Sequence, residues 1–194
     1  MEEKGQPHAG EVIESSTVEF TVESRVLNGS PPFGSYVKID SYPVVYALVY
    51  SVVTHSIEPN RRPTAYGKTE DELRLEQPQI FELLRTEFTA LIIGYRDDSG
   101  IHQCLPPQPP RIHGFAHFCS ADEIAEFTEK SHYLRPVFSQ TRVPSDELTI
   151  AAVRNAYHAR GDNGHYLVRA GKEVARLLKD DYDRLHSILE RIRI

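Results

Sequence analysis

Five side chains able to bind a soft metal, or to serve as nucleophile and base, fall in one short stretch: His102, Cys104, His113, His117 and Cys119. Their spacing, H-x-C-x8-H-x3-H-x-C, supplies enough nitrogen and sulfur donors for tetrahedral zinc. It lacks the C-x2-C knuckle, and Gly114 with the prolines upstream argues against a helix that would put His113 and His117 on one face. The same residues allow a thiol reading, with His102 or His117 as base to Cys104 or Cys119. That chemistry needs an exposed, electropositive thiol and a base oriented by a third group, which spacing alone does not provide. The plainer reading is adopted: two inert cysteines and histidines lining a loop. A metal-binding or thiol-dependent protein centred on 102–119 is the alternative.

Other candidates are weaker. Asp97-Asp98, Glu70-Asp71-Glu72 and Asp180-Asp181 are paired acids at element ends or in a first helical turn, where solvated carboxylates are ordinary. A phosphate-cradling loop requires G-x-x-x-x-G-K-[ST]. Gly67-Lys68-Thr69 has Arg62 in place of the first glycine, and Gly171-Lys172 is followed by Glu173. No nucleotide engine is written in these 194 residues. At the C-terminus Val168, Gly171, Ala175, Leu178, Tyr182, Leu185, Leu189 and Ile192 recur at three-and-four spacing, that of a coiled-coil seam. Leu178, Tyr182, Leu185, Leu189 and Ile192 are the candidate oligomerisation residues, and packing of the same helix on its own chain is the competing use.

Composition narrows the classes. A net charge of −6 with scattered basic residues disfavours nucleic acid, whose phosphates call for clustered Lys and Arg. A single-stranded nucleic-acid binder using Tyr36, Tyr42, Tyr46 and Tyr50 with Arg61 and Arg62 is the second alternative and ranks last. The acidic start has no apolar core, and the longest apolar run, Pro43 to Tyr50, is too short to span a bilayer. A soluble, cytoplasmic protein without membrane contact or cofactor is expected.

These groups must be positioned by two kinds of element. EVIESSTVEFTVESR alternates, with Val12, Val18, Phe20 and Val22 on one side, the mark of a half-buried strand. Strands are predicted at 11–14, 17–25, 35–40 and 43–55. PVVYALVYSVVT is apolar on both faces, as a strand covered on both sides would be. Thr69 caps a helix, a second helical stretch is expected over 77–86, and 87–97 returns to strand. Ser120 opens a helix to about Lys130, Ser145 another, and a long helix follows from His165 with a break near Asp180-Asp181. The division is 1–10 lead-in, 11–100 barrel, 101–119 proline-rich connection with short extended pieces, and 120–194 helical region.

GEVIESSTVEFTVES, then GSYVKID, then VVYALVYSVVTHSIEP and FTALIIGY together resemble the HAS-barrel of HerA-type translocating ATPases and of rotary ATP synthase subunits. The resemblance covers roughly residues 9 to 97. It implies an α+β protein with a small N-terminal β-barrel followed by helices. It also implies a role like that of those barrels, which help to organise a ring and offer partners a docking surface. The expectation is a non-catalytic adaptor or assembly module that binds itself or a protein partner, such as an ATPase or a nuclease.

Overall fold

The computed structural model describes residues 8–58, 60, 62–161 and 164–192. Most of the lead-in, Arg61, Asp162 and Asn163 lie outside them.

Six antiparallel strands close a barrel. β1 (Gly10–Ser15) and β2 (Glu19–Ser24) form a hairpin in which Val12 faces Val22, with a bulge between Val12 and Glu14. β3 (Tyr36–Ile39) pairs with β4 (Val44–Ser56), β4 with β5 (Leu84–Asp97), and β5 with β2. β6 (Gly100–His102) extends the end of β5. β7 (Phe115–Phe118) then enters between β1 and β3 and completes the ring. The barrel is therefore not finished by residue 100. The 101–119 connection contributes one of its staves, and Ala116 lies in the interior. The proline-rich segment carries the chain across the barrel to deliver that strand.

Two apolar cores share the wall. Val12, Phe20, Val22, Val37, Ile39, Val45, Ala47, Val49, Phe88, Ala90 and Ile92 fill the inside. On the outer face of the same strands, Tyr36, Tyr46, Leu48, Leu91 and Ile93 meet the helices. β4 and β5 are covered on both sides there, which accounts for runs apolar at every position. Val18 departs from the expected parity and packs with the helical core. Val52 departs too. A bulge between Val49 and Ser51 switches the parity of β4, and Val52 sits where the strand runs past the ring, 42% exposed.

The excursion between β4 and β5 holds α1 (Glu70–Glu76), opened by a Thr69–Glu72 capping box, and α2 (Gln79–Glu82). The helix expected over 77–86 stops at 82, because Leu84 onward is claimed by the ladder with β4. After β7 come α3 (Ala121–Phe127), with a Ser120–Glu123 capping box, and α4 (Leu134–Ser139), which no capping motif announced. α5 (Ser145–Ala159), α6 (Gly164–Leu177) and α7 (Tyr182–Ile192) follow. Barrel and helices are locked together at Gly34. Its φ of +80° favours glycine, and a Cβ there would sit 2.4 Å from that of Ala151 on α5. Asn155 of α5 donates to the Gly34 carbonyl at 2.8 Å.

A chain of hydroxyls runs through this junction. The Tyr36 hydroxyl on β3 lies 3.0 Å from that of Tyr133 and 3.1 Å from the Ala152 carbonyl, and Tyr133 lies 2.8 Å from Tyr166 on α6. The Ala152 oxygen can only accept, so Tyr36 donates to it, Tyr133 to Tyr36, and Tyr166 to Tyr133. Burial holds all three phenols well above their ordinary pKa. The Arg160 guanidinium stacks over the Tyr166 ring and donates to the Ala125 carbonyl.

Candidate functional site

The five Cys and His candidates do not meet. β6 and β7 are separated in the sheet order by β3, β4 and β5. His102, on β6, stacks on Tyr95 with ring centroids 4.7 Å apart. Cys104 is exposed just beyond it. His113 sits in a left-handed turn (φ 68°) ahead of β7 and pairs with Glu11. His117, on β7, faces Asp40 at 3.9 Å. Cys119 lies near the Lys38–Glu123 ion pair. Among the described residues, no three His, Cys, Asp or Glu side chains are grouped so as to hold a metal ion.

The electrostatics also oppose thiol chemistry at Cys119. Burial pushes its thiol up, with the Glu123 carboxylate adding to the effect, and a raised pKa is the reverse of what a nucleophile needs. Beside it Lys38 donates to Glu123 at 2.6 Å and lies 3.2 Å from Asp40. Burial disfavours the charge of Lys38, but its two carboxylate partners outweigh this and hold its pKa above the ordinary lysine range. This ion pair ties β3 to the start of α3.

Spacing had not singled out a serine, a histidine and an aspartate that do converge at the β5–β6 turn. Asp97 Oδ1 accepts from the Ser99 hydroxyl at 2.6 Å, from the Ser99 amide at 2.8 Å and from His102 Nε2 at 3.0 Å. The Ser99 hydroxyl is also 2.8 Å from the same His102 nitrogen. A catalytic relay needs serine and aspartate on opposite ring nitrogens. Here one nitrogen serves both and the serine proton goes to the carboxylate, so nothing activates Ser99. The Ser99 hydroxyl and amide, then His102, hold Asp97 down to about 2. The sequence signal for this cluster was the turn itself, Asp97-Asp98-Ser99-Gly100, an Asx-type closure.

The aromatic platform considered for nucleic acid is not assembled. Tyr36 and Tyr46 are buried, Tyr50 donates to Glu19 at 2.7 Å, and Tyr42 alone of the four is largely exposed, at 73%. Arg61 lies outside the described residues. The C-terminal seam is redistributed. α6 and α7 are two helices, so the repeat does not continue across Asp180-Asp181. Tyr166, Ala170 and Val174 form the buried stripe of α6, with Leu178 beyond its end, and Ile188 and Ile192 that of α7. Leu185 packs against this core, and Leu189 is half-buried near Gly171. Leu178 and Ile192 are thus committed inside the chain, whereas Tyr182 stands out at 78% exposure. Arg184 with Asp146 and Arg191 with Glu147 clip α7 to α5.

One exposed apolar surface, beside others such as Phe115 and Phe118 on β7, is the arm of β4 and β5 beyond the ring. Val52, Val53 and Ile57 are exposed there, and Tyr66 and Leu75 on the excursion that follows. Among the described residues no helix is long and apolar enough to cross a membrane. Residues 9–98 match the HAS barrel domain family. No curated protein matches the chain.

Proposed function

We propose that this chain, whose residues 9–98 match the HAS barrel domain family, works as a non-catalytic adaptor or assembly module. The observation that carries the reading is the filled barrel. Its interior is occupied by side chains such as Phe20, Phe88 and Ile92, leaving the walls and the projecting arm as the surfaces for recognition. The titratable clusters nearby support the same reading. Lys38–Glu123 and Asp97–Ser99–His102 are each closed on themselves by hydrogen bonds and ion pairs that fix local structure. In the translocating ATPases that the barrel resembles, this domain helps to organise a ring and to dock partners, and a protein partner of the ATPase or nuclease kind is the corresponding expectation.

Affinity purification of the tagged chain at endogenous level, after brief cross-linking, tests it. Stoichiometric recovery of a second copy or of one recurrent protein is the expected result. A chain recovered alone, with a small-molecule turnover that survives purification, would overturn it.

A further inference from the structure

A closed barrel has no strand edges, yet this one has an edge where β4 outruns it. β3 covers β4 only from Val45 to Leu48, with Ser35 and Gly34 bonding Val49 just beyond. From Ser51 to Ser56 the only ladder partner of β4 among the described residues is β5. The Ile57 amide donates to the Leu83 carbonyl, which fixes the alternation: Ser51, Val53 and His55 bond toward β5. The N–H and C=O groups of Val52, Thr54 and Ser56 therefore point out of the open edge. Among the described residues no backbone group answers them.

Natural edges are blunted by lysine, proline or inward charge. SVVTHS has no lysine, proline or acid, and it carries Val52 and Val53 at 42% and 52% exposure. Among protein partners, a row of alternating donors and acceptors is matched by another extended strand. The segment 51–56 itself carries no Asp, Glu, Lys or Arg in a chain of net charge −6, and beside it Arg85 pairs with Glu23. A second copy therefore meets it without like-charge repulsion.

We propose that two copies of this chain join along this edge, antiparallel across a twofold axis at Thr54, forming one sheet β5–β4–β4–β5. The proposal rests on the assembly reading above and gives it a surface. The register that uses all three outward residues sets Thr54 against the partner's Thr54, and Val52 against the partner's Ser56. Val53 then lies against the partner's His55. Thr–Thr and β-branched pairs are favourable across strands, and no like charges meet. The pairing also turns a two-stranded ribbon, marginal by itself, into four strands.

Light scattering and sedimentation on the full chain at high micromolar concentration test this. The expected mass is twice the 22.1 kDa of the chain. Val52→Pro removes one outward N–H and no internal ladder bond, and Thr54→Lys sets two cations on the axis. Each acts twice by symmetry and is expected to weaken dimerisation by about tenfold or more, with the β signal in circular dichroism retained. Hydrogen exchange on the unmutated chain gives a reading independent of any variant: the amides of Val52, Thr54 and Ser56 should lose protection on dilution. A monomeric parent refutes the edge. A dimer indifferent to both variants, with those amides exchanging freely, refutes it too, and leaves the assembly reading standing. A monomeric parent that also brings down no partner when purified from cells ends both.

Discussion

Replacing Tyr133 by Phe removes the middle hydroxyl of the buried chain that joins β3 to the helices. Two bonds are lost, at 3.0 Å to Tyr36 and 2.8 Å to Tyr166. Tyr36 keeps its bond to Ala152, but the Tyr166 hydroxyl, almost wholly buried, loses the acceptor for its proton. Each bond contributes about 1 kcal/mol net, and an orphaned buried donor costs about 1–3 kcal/mol more. The expected loss is about 3–5 kcal/mol. Tyr166→Phe leaves no orphan, since Tyr133 still donates to Tyr36, and should cost about 1 kcal/mol. Tyr36→Phe also loses two bonds and leaves one buried hydroxyl proton, on Tyr133 or Tyr166, without an acceptor, so it should cost about as much as Tyr133→Phe. The double variant Tyr133→Phe with Tyr166→Phe should cost no more than Tyr133→Phe alone, a negative coupling that simple contact counting does not give. Urea unfolding followed by near-UV circular dichroism reads all four. If the three single variants are equal within error, or the double is the sum of its parts, the hydroxyls are not wired as a chain.

Other consequences are direct. Phe20→Ala empties a fully enclosed site in the barrel and should destabilise by about 3–5 kcal/mol in the same unfolding assay. Asp97, held near 2 against an ordinary 3.8, contributes stability that is whole above about pH 4 and lost as pH falls toward 2. Asp97→Asn should flatten the acid limb of the stability curve in that window and leave neutral pH behaviour similar in slope. Cys104 is exposed and Cys119 is shielded with a raised pKa, so a thiol reagent should label the first in the native protein and the second only on unfolding. Comparable rates at both would mean that Cys119 is not shielded in the native protein.

Period and capping are local properties, and they were legible. Alternation in β1 and β2, the doubly apolar run of β4, the capping boxes at Thr69 and Ser120 and the break before α7 each follow from residues within a turn or two of one another. The barrel class followed from their order. Only the tertiary structure decided what depends on distant partners. Phe115–Phe118 reads in the sequence only as a short extended piece, and its place as a barrel stave comes from the two edges, β1 and β3, on either side. Val52 lies opposite Phe88 on the face that lines the barrel, and it is exposed because β4 there has run past the ring while still pairing with β5. The five Cys and His residues look like one donor set along the chain, and the barrel wall divides them. The three tyrosines lie far apart in sequence, and burial leaves their hydroxyls only one another and the Ala152 carbonyl to bond. In each case a side chain's role was fixed by neighbours that folding brought to it, and spacing along the chain carries no record of those.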